Sequence, residues 1–346
     1  MTRWAVVLAG GVGSRFWPLS TERRPKQLLP LVGKKPMLVE QLERLRPIAP
    51  PARTLILTNA SLVKAIGRAA PRIPRANIIA EPRPAGTAAA LTWAAAQIEQ
   101  RDGREATMIS VHADWSIADT DGFRGALDAA ATAAEKEHCL VTVGIVPTRA
   151  DPGFGYIEPG EQIYPSVRRA RRFVEKPSRE KAQEMRDAGY LWNSGIFAWR
   201  VGDFLDEVSA LSPEVGPALA KHARSAKSFF AAVKKPIAID HAVLERSARV
   251  LVVSGDFGWD DVGTWGALHR VRARDGDGNA TSGSVNLVQA RDNVVHADDG
   301  QRVVLYGVQD LVVVAKDGLT LVTTLDRAAD LKTLVESLPK DVREQS

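Results

Sequence analysis

The chain has 346 residues, 45% apolar and 25% charged, enough for a sizeable core in more than one domain but too few for three independent domains. Lysine and arginine number 46 against 41 acids, an excess spread along the chain that argues against a nucleic-acid-binding tail and suits small anionic substrates. Cys139 is the single cysteine, which excludes an intrachain disulfide and a cysteine zinc cluster, and no apolar run reaches the ~18–20 residues of a membrane span.

In chain order, Met1–Gly11 is too short and too soon broken by glycine for a signal peptide, so a cytoplasmic location is expected. Up to about residue 147, apolar β-branched runs alternate with helical patterns. The runs are "WAVVLA", "TLILT", "NIIA", "ATMISVH" and "LVTVGIV", the last preceded by Cys139, which is expected to be a small buried strand residue. Between them lie "MLVEQLERL", with Met37, Leu38, Leu42 and Leu45 on one face, and two Ala-rich helix formers. Continuous apolar strands separated by helices predict an α/β fold with a mostly parallel sheet covered on both faces. Trp4, Trp93 and Trp199 are expected in the core. Residues 148–275 are more mixed, with "RRFVEKP", a helix over Ser178–Ala188, the strand-like "SGIFAWR" and "RVLVVSGDFGW". From 276 the turn-rich "DGDGNATSG" leads into short β runs over 281–324, either turns of a β-helix or a meander, closed by the helix "LKTLVESL". The expected division is therefore 1–275 and a small β-rich domain over 276–346.

Ligands of such sheets bind beyond the carboxyl ends of the strands. There "WAVVLA" runs into Gly10, Gly11 and Gly13, whose backbone N–H groups can approach an anion, with Arg15 and Lys26 on the same stretch. The stretch lacks the Lys-Ser/Thr of a Walker loop and the third glycine of a dinucleotide fingerprint. In "EPRPAGTAAAL", Gly86 reads as a turn residue and Thr87 as the N-cap of an Ala-rich helix. Asp114 follows a strand, and Asp260 and Asp261 lie in "GDFGWDDVGTW". "FVEKP" ends a strand at a proline, with Glu175 and Lys176 just before it.

Together these segments resemble the sugar-1-phosphate nucleotidyltransferases, in particular the mannose-1-phosphate guanylyltransferase branch. The resemblance covers about residues 3–270, beginning with the long signature "LAGGVGSRFWPLSTERRPKQLLPL". It implies a Rossmann-like, GT-A-type sheet. It also implies that Gly10, Gly11, Gly13 and Arg15 hold nucleotide phosphates, while Arg15 and Lys26 neutralise the departing pyrophosphate. Glu81, Gly86 and Thr87 fall in the purine motif, with Gly86 where asparagine is usual and Ala85 where a basic residue is usual. Asp114 and Asp261 would hold Mg²⁺ or another divalent cation, with Asp260 at the variable position. Lys176 would bind the sugar phosphate, Glu175 and Asn193 the sugar hydroxyls, and Gly155 and Tyr156 the site wall.

The implied partners are GTP and mannose 1-phosphate, with no nucleic acid and no membrane, and a homo-oligomer is compatible. The family's longer members carry a fused isomerase domain, for which 346 residues leave no room. Three alternatives stay open. The first is the same chemistry with another base or a glucose- or heptose-type phosphate, and the second is a silent regulatory paralogue that binds a nucleotide sugar. The third, a dinucleotide oxidoreductase, is disfavoured by the glycine spacing.

Overall fold

The apolar runs of the first 147 residues become strands. They are β1 (Arg3–Leu8), β2 (Thr54–Asn59), β3 (Ile78–Glu81), β4 (Thr107–His112) and, after the two-residue β5 (Ser116–Ile117), β6 (Leu140–Ile145). Four further strands follow: β7 (Tyr156–Tyr164), β8 (Val167–Val174), β9 (Leu191–Arg200) and β10 (Val250–Gly255). The computed structural model describes residues 1–11, 13–22 and 24–344. It divides into two compact units. One comprises Met1–Gly10, Leu42–His112 and Ile117–Trp259, the other Gly11–Gln41, Ala113–Ser116 and Asp260–Ser346.

The first unit holds a nine-stranded sheet in the order β3-β2-β1-β4-β9-β6-β10-β8-β7. Parallel pairs join β1 to β2 and β4, β2 to β3, and β6 to β10. β9 inserts antiparallel between β4 and β6, and β8 lies antiparallel to β10 and β7. Every strand of this sheet except β8 and β9 therefore points the same way, which is the mostly parallel α/β sheet expected. β2 and β6 are buried along nearly their whole length because helices cover both faces. The helices Gly86–Asp102 and Thr120–Glu137 are rich in buried alanine. Trp4, Trp93 and Trp199 are buried as expected, and Trp199 stacks on Phe204 at 4.2 Å.

Cys139 departs from its expectation. It precedes β6 and is only half-buried, with its thiol donating to the Glu137 carbonyl (3.3 Å). Burial pushes the thiol pKa up, which favours its protonated form.

In the second unit, after β11 (Trp259–Asp260), come β12 (Ala280–Ser282), β13 (Ser284–Val288), β14 (Val294–Ala297), β15 (Arg302–Tyr306), β16 (Leu311–Lys316) and β17 (Leu319–Thr324). β12, β14 and β16 stack in parallel, with Ala280 opposite Val294 and Val294 opposite Val312, and β13 stacks on β15 in the same sense. Parallel neighbours joined by short loops are the coils of a β-helix; a meander would pair antiparallel, as only β16 and β17 do. A buried asparagine ladder runs up one corner. Asn279 Oδ1 accepts from Asn293 N (3.1 Å) and Nδ2 (2.9 Å), and Asn293 Oδ1 accepts from Leu311 N (2.9 Å). The core beneath mixes Val294, Val312, Val314 and Leu331 with Phe16, Trp17, Leu19 and Trp265. The signature stretch is thus packed on the β-helix within one unit.

Candidate active site

In the second unit, the signature turn is shaped around Lys26. Gly13 adopts φ +69°, and a Cβ there would sit 2.4 Å from Lys26 Cβ, so only glycine lets the lysine stem pass. The Gly13 carbonyl accepts from Phe16 N (3.0 Å) and Ser20 Oγ (2.5 Å), closing the turn on which exposed Arg15 stands. Lys26 Nζ lies 5.8 Å from the centroid of the Phe16 ring and donates to Asp114 Oδ2 (2.9 Å) and to the Asp261 carbonyl (2.7 Å). The lysine side chain is 5% exposed and that of Asp114 is 34% exposed, so the cation is enclosed while the carboxylate still meets solvent.

Asp260 and Asp261, successive residues at the end of a short strand, turn to different partners, and Val262 after them takes φ +48°, a left-handed conformation that a β-branched residue holds only under constraint. Asp260 pairs with Arg270 (2.9 Å), and Asp261 Oδ1 accepts from Gly263 N (3.1 Å). Burial raises the Asp261 carboxyl to about 6, with the Asp260 and Asp114 charges adding and Lys26 opposing. Gly13, Lys26, Asp114 and Asp261, far apart in sequence, are thus brought together.

The first unit carries the remaining candidates. Gly10 lies against Glu81, whose Oε1 is 3.7 Å from where a Gly10 Cβ would stand. Burial alone pushes the Glu81 carboxyl up to about 7. Arg83 donates from Nε to the Phe230 carbonyl (2.9 Å) and from its terminal nitrogen to the Val233 carbonyl. Gly86 has φ +84°, and the Ile237 carbonyl oxygen would be 2.2 Å from a Cβ, so asparagine cannot occupy this backbone position. Thr87 is not the N-cap. The helix begins at Gly86 with Ala85 in the cap position and no side-chain cap, and Thr87 Oγ1 instead accepts from Ile239 N (2.9 Å). A neighbouring segment competed successfully for its hydroxyl.

On the opposite half of the sheet, Gly155 lies between Glu175 and Asn193. A Cβ there would meet Glu175 Oε2 at 2.6 Å and Asn193 Cβ at 3.5 Å. Tyr156 is buried, its hydroxyl bonded to the Asp151 backbone N–H and carbonyl (3.0 and 3.2 Å). Lys176, at φ +45°, turns its ammonium back onto Glu175 (3.2 Å) while its side chain stays 69% exposed. Asn193 sits where the β6–β9 register slips between Val143 and Gly144, a bulge that re-aims its side chain.

A family model described as Nucleotidyl transferase matches residues 4–278. The chain belongs to the nucleotidyl transferase family. Among relatives of this nucleotidyltransferase, Mannose-1-phosphate guanylyltransferase of Escherichia coli is 35% identical over 353 residues, covering 98% of this chain and 74% of that protein. Xanthan biosynthesis protein XanB of Xanthomonas campestris pv. campestris is 34% identical over 358 residues, covering 99% of this chain and 74% of that one. A Thermus thermophilus crystal structure described as a mannose-1-phosphate geranyltransferase is 35% identical and covers 97% of this chain and 99% of its own, with a TM-score of 0.90. A UDP-glucose pyrophosphorylase complexed with UDP-glucose shares the fold at 19% identity and a TM-score of 0.51.

Motif reading missed two groups of this nucleotidyltransferase. Arg270, which neutralises Asp260, sits beyond "DVG" in an ordinary helix, Trp265–Val271. Asp240, bonded to Asn193, begins the apolar run "HAVL" and looks in sequence like any helix-starting acid. Among the described residues no helix is long and apolar enough to cross a membrane.

Proposed function

We propose that this nucleotidyltransferase transfers GMP from GTP to mannose 1-phosphate, giving GDP-mannose and pyrophosphate. The observation that carries the reading is the enclosed Lys26–Asp114–Asp261 cluster on the signature turn of a chain so similar, over 98% of its length, to a mannose-1-phosphate guanylyltransferase. We assign the chemistry to residues 1–275, a span nearly matched by the family model, and a supporting role to 276–346.

A divalent cation fits the residues present. Asp114 and Asp261 offer oxygen donors alone, the set Mg²⁺ favours, and a cation would offset the burial, and after it the Asp260 and Asp114 charges, that raise the Asp261 carboxyl. When bound there, the ion supplies neutralising charge to the nucleotide phosphates.

The rest follows from the chain's own groups. Gly10, Gly11 and Gly13 present backbone to the triphosphate, and Arg15 and Lys26 meet the charge gathering on departing pyrophosphate. Glu81, Gly86 and Thr87 shape the purine side. Lys176 binds the sugar phosphate, and Glu175, Asn193, Gly155 and Tyr156 form the sugar wall. A sugar-phosphate oxygen attacks the α-phosphorus in line, and the bond to pyrophosphate breaks. The nucleophile is already an anion, so alignment and charge neutralisation suffice without a general base.

A matrix of nucleoside triphosphates and sugar 1-phosphates, with and without EDTA, scored by pyrophosphate release, tests this. GTP with mannose 1-phosphate should give the highest kcat/KM, lost in EDTA and restored by Mg²⁺. A better pair with another base, or with a glucose- or heptose-type phosphate, would replace the substrate assignment; binding without release would replace the transferase reading. Gly86, in place of the usual asparagine, is the feature that favours testing other bases.

A further inference from the structure

Asp240 belongs to none of the motifs that carried the functional reading, yet it stands against one of their residues. It opens a single π-turn, Asp240–Leu244, marked by the Glu245 N bond to the Asp240 carbonyl (2.8 Å). Such turns shift a side chain out of ordinary helical register and are frequent at functional sites. Asp240 Oδ1 accepts from Asn193 Nδ2 at 2.6 Å, and Asn193 Oδ1 accepts from Gly195 N (3.4 Å). A carboxylate can only accept from the amide, so this contact fixes which end of Asn193 faces which way. Glu175 approaches the same place from the β8 end, on the other side of Gly155. Its charge, after burial, helps raise the Asp240 carboxyl.

The segment leading to Asp240 is held by the purine-side motif. Ala88 N donates to the Ile237 carbonyl (3.2 Å), Ile239 N donates to Thr87 Oγ1 (2.9 Å), and Gly86 leaves room for Ile237 only because it has no side chain. Asp240, one residue on, is therefore placed from one side by Gly86–Ala88 and from the other by Asn193.

We propose that Asp240 is a positioning and specificity residue for the sugar: it orients the Asn193 amide and sets a second carboxylate beside Glu175 for adjacent sugar hydroxyls. The inference rests on the reading that Glu175 and Asn193 face the sugar of the sugar 1-phosphate.

The test is Asp240→Asn, which keeps the size and removes the carboxylate. On the sugar 1-phosphate that the unaltered protein uses best, its KM should rise roughly tenfold or more, as for loss of a charged hydrogen bond. The KM for the nucleotide and the Tm should hold, and discrimination between sugar epimers should narrow. An unchanged sugar KM, or a fall in Tm with both KM values moving together, overturns the proposal. The exchange Asn193→Asp with Asp240→Asn restores an amide–carboxylate pair with its polarity reversed. It should keep the parent Tm without recovering sugar KM, and recovery of the sugar KM overturns the proposal. If the unaltered protein turns over no sugar 1-phosphate, the functional reading falls by itself. Equilibrium binding of mannose 1-phosphate then decides the role of Asp240: weakening by Asp240→Asn supports it, and unchanged or absent binding overturns it.

Discussion

Lys26 is a buried cation whose stem is fixed by packing and whose ammonium is held by two oxygens. Burial of this kind is tolerated only with partners, and here the partners are the candidate metal-holding residues. Substituting alanine for Lys26, Asp114 or Asp261 should leave a folded protein by circular dichroism. Turnover should fall about a hundredfold to a thousandfold, the usual cost of losing one group aimed at developing charge. Wild-type rates of pyrophosphate release in all three would remove their assigned roles. Gly13→Ala acts on the same group indirectly. Its left-handed φ costs about 1–3 kcal/mol for alanine, and the added methyl collides with the Lys26 stem. We expect a lower Tm together with a lower kcat, read by thermal melt and turnover assay.

At the scale of elements, the two ends of the chain depend on different devices. The sheet is held by continuous apolar strands under Ala-rich helices, while the β-helix turns its corner on the Asn279–Asn293 ladder. Asn293 is fully buried and serves Leu311 N and the Asn279 side chain at once. Asn293→Ala leaves Leu311 N without this partner, at about 1–3 kcal/mol for a buried donor, and removes one of the two bonds to Asn279 Oδ1. The variant should melt several degrees lower, whereas Asn286→Ala on β13, outside the ladder, should melt near the parent. The bulge in β9 and the π-turn at Asp240 are of another kind. Each breaks a regular element at a candidate sugar-contacting residue, as expected where function overrides local regularity.

For the whole molecule, stability should depend on pH through His296. Burial first, then Arg272, with Arg24 adding and Asp298 opposing, lowers this imidazole from 6.5 to about 4. A group whose folded pKa is depressed is protonated more readily in the unfolded chain, so the unfolded state binds more protons between about 4 and 6.5. The contribution is therefore complete above pH 6.5 and is lost as the pH falls toward 4, by up to about 3 kcal/mol. Urea unfolding at pH 7 and pH 5 should show this loss, and His296→Gln should reduce it. An equal drop in the variant would assign acid sensitivity to other groups.

The sequence by itself determined the class of sheet, the family and most candidate residues. Strand periodicity reports burial on both faces, and "GGVGSR", "PKQ", "FVEKP" and "GWDDVG" are local chemical patterns that survive being read one at a time. It could not show why Gly13 and Gly86 are glycines. One makes way for the Lys26 stem, across a turn of the signature stretch, and the other for the Ile237 carbonyl, far along the chain. Nor could it show that Thr87 would bond to Ile239 in preference to capping its own helix, that the short C-terminal strands would stack in parallel, or that Asp240 would meet Asn193. Propensity and motif are properties of neighbours along the chain. Which donor finds which acceptor, and which side chain is denied room, depends on distances that only the folded chain sets.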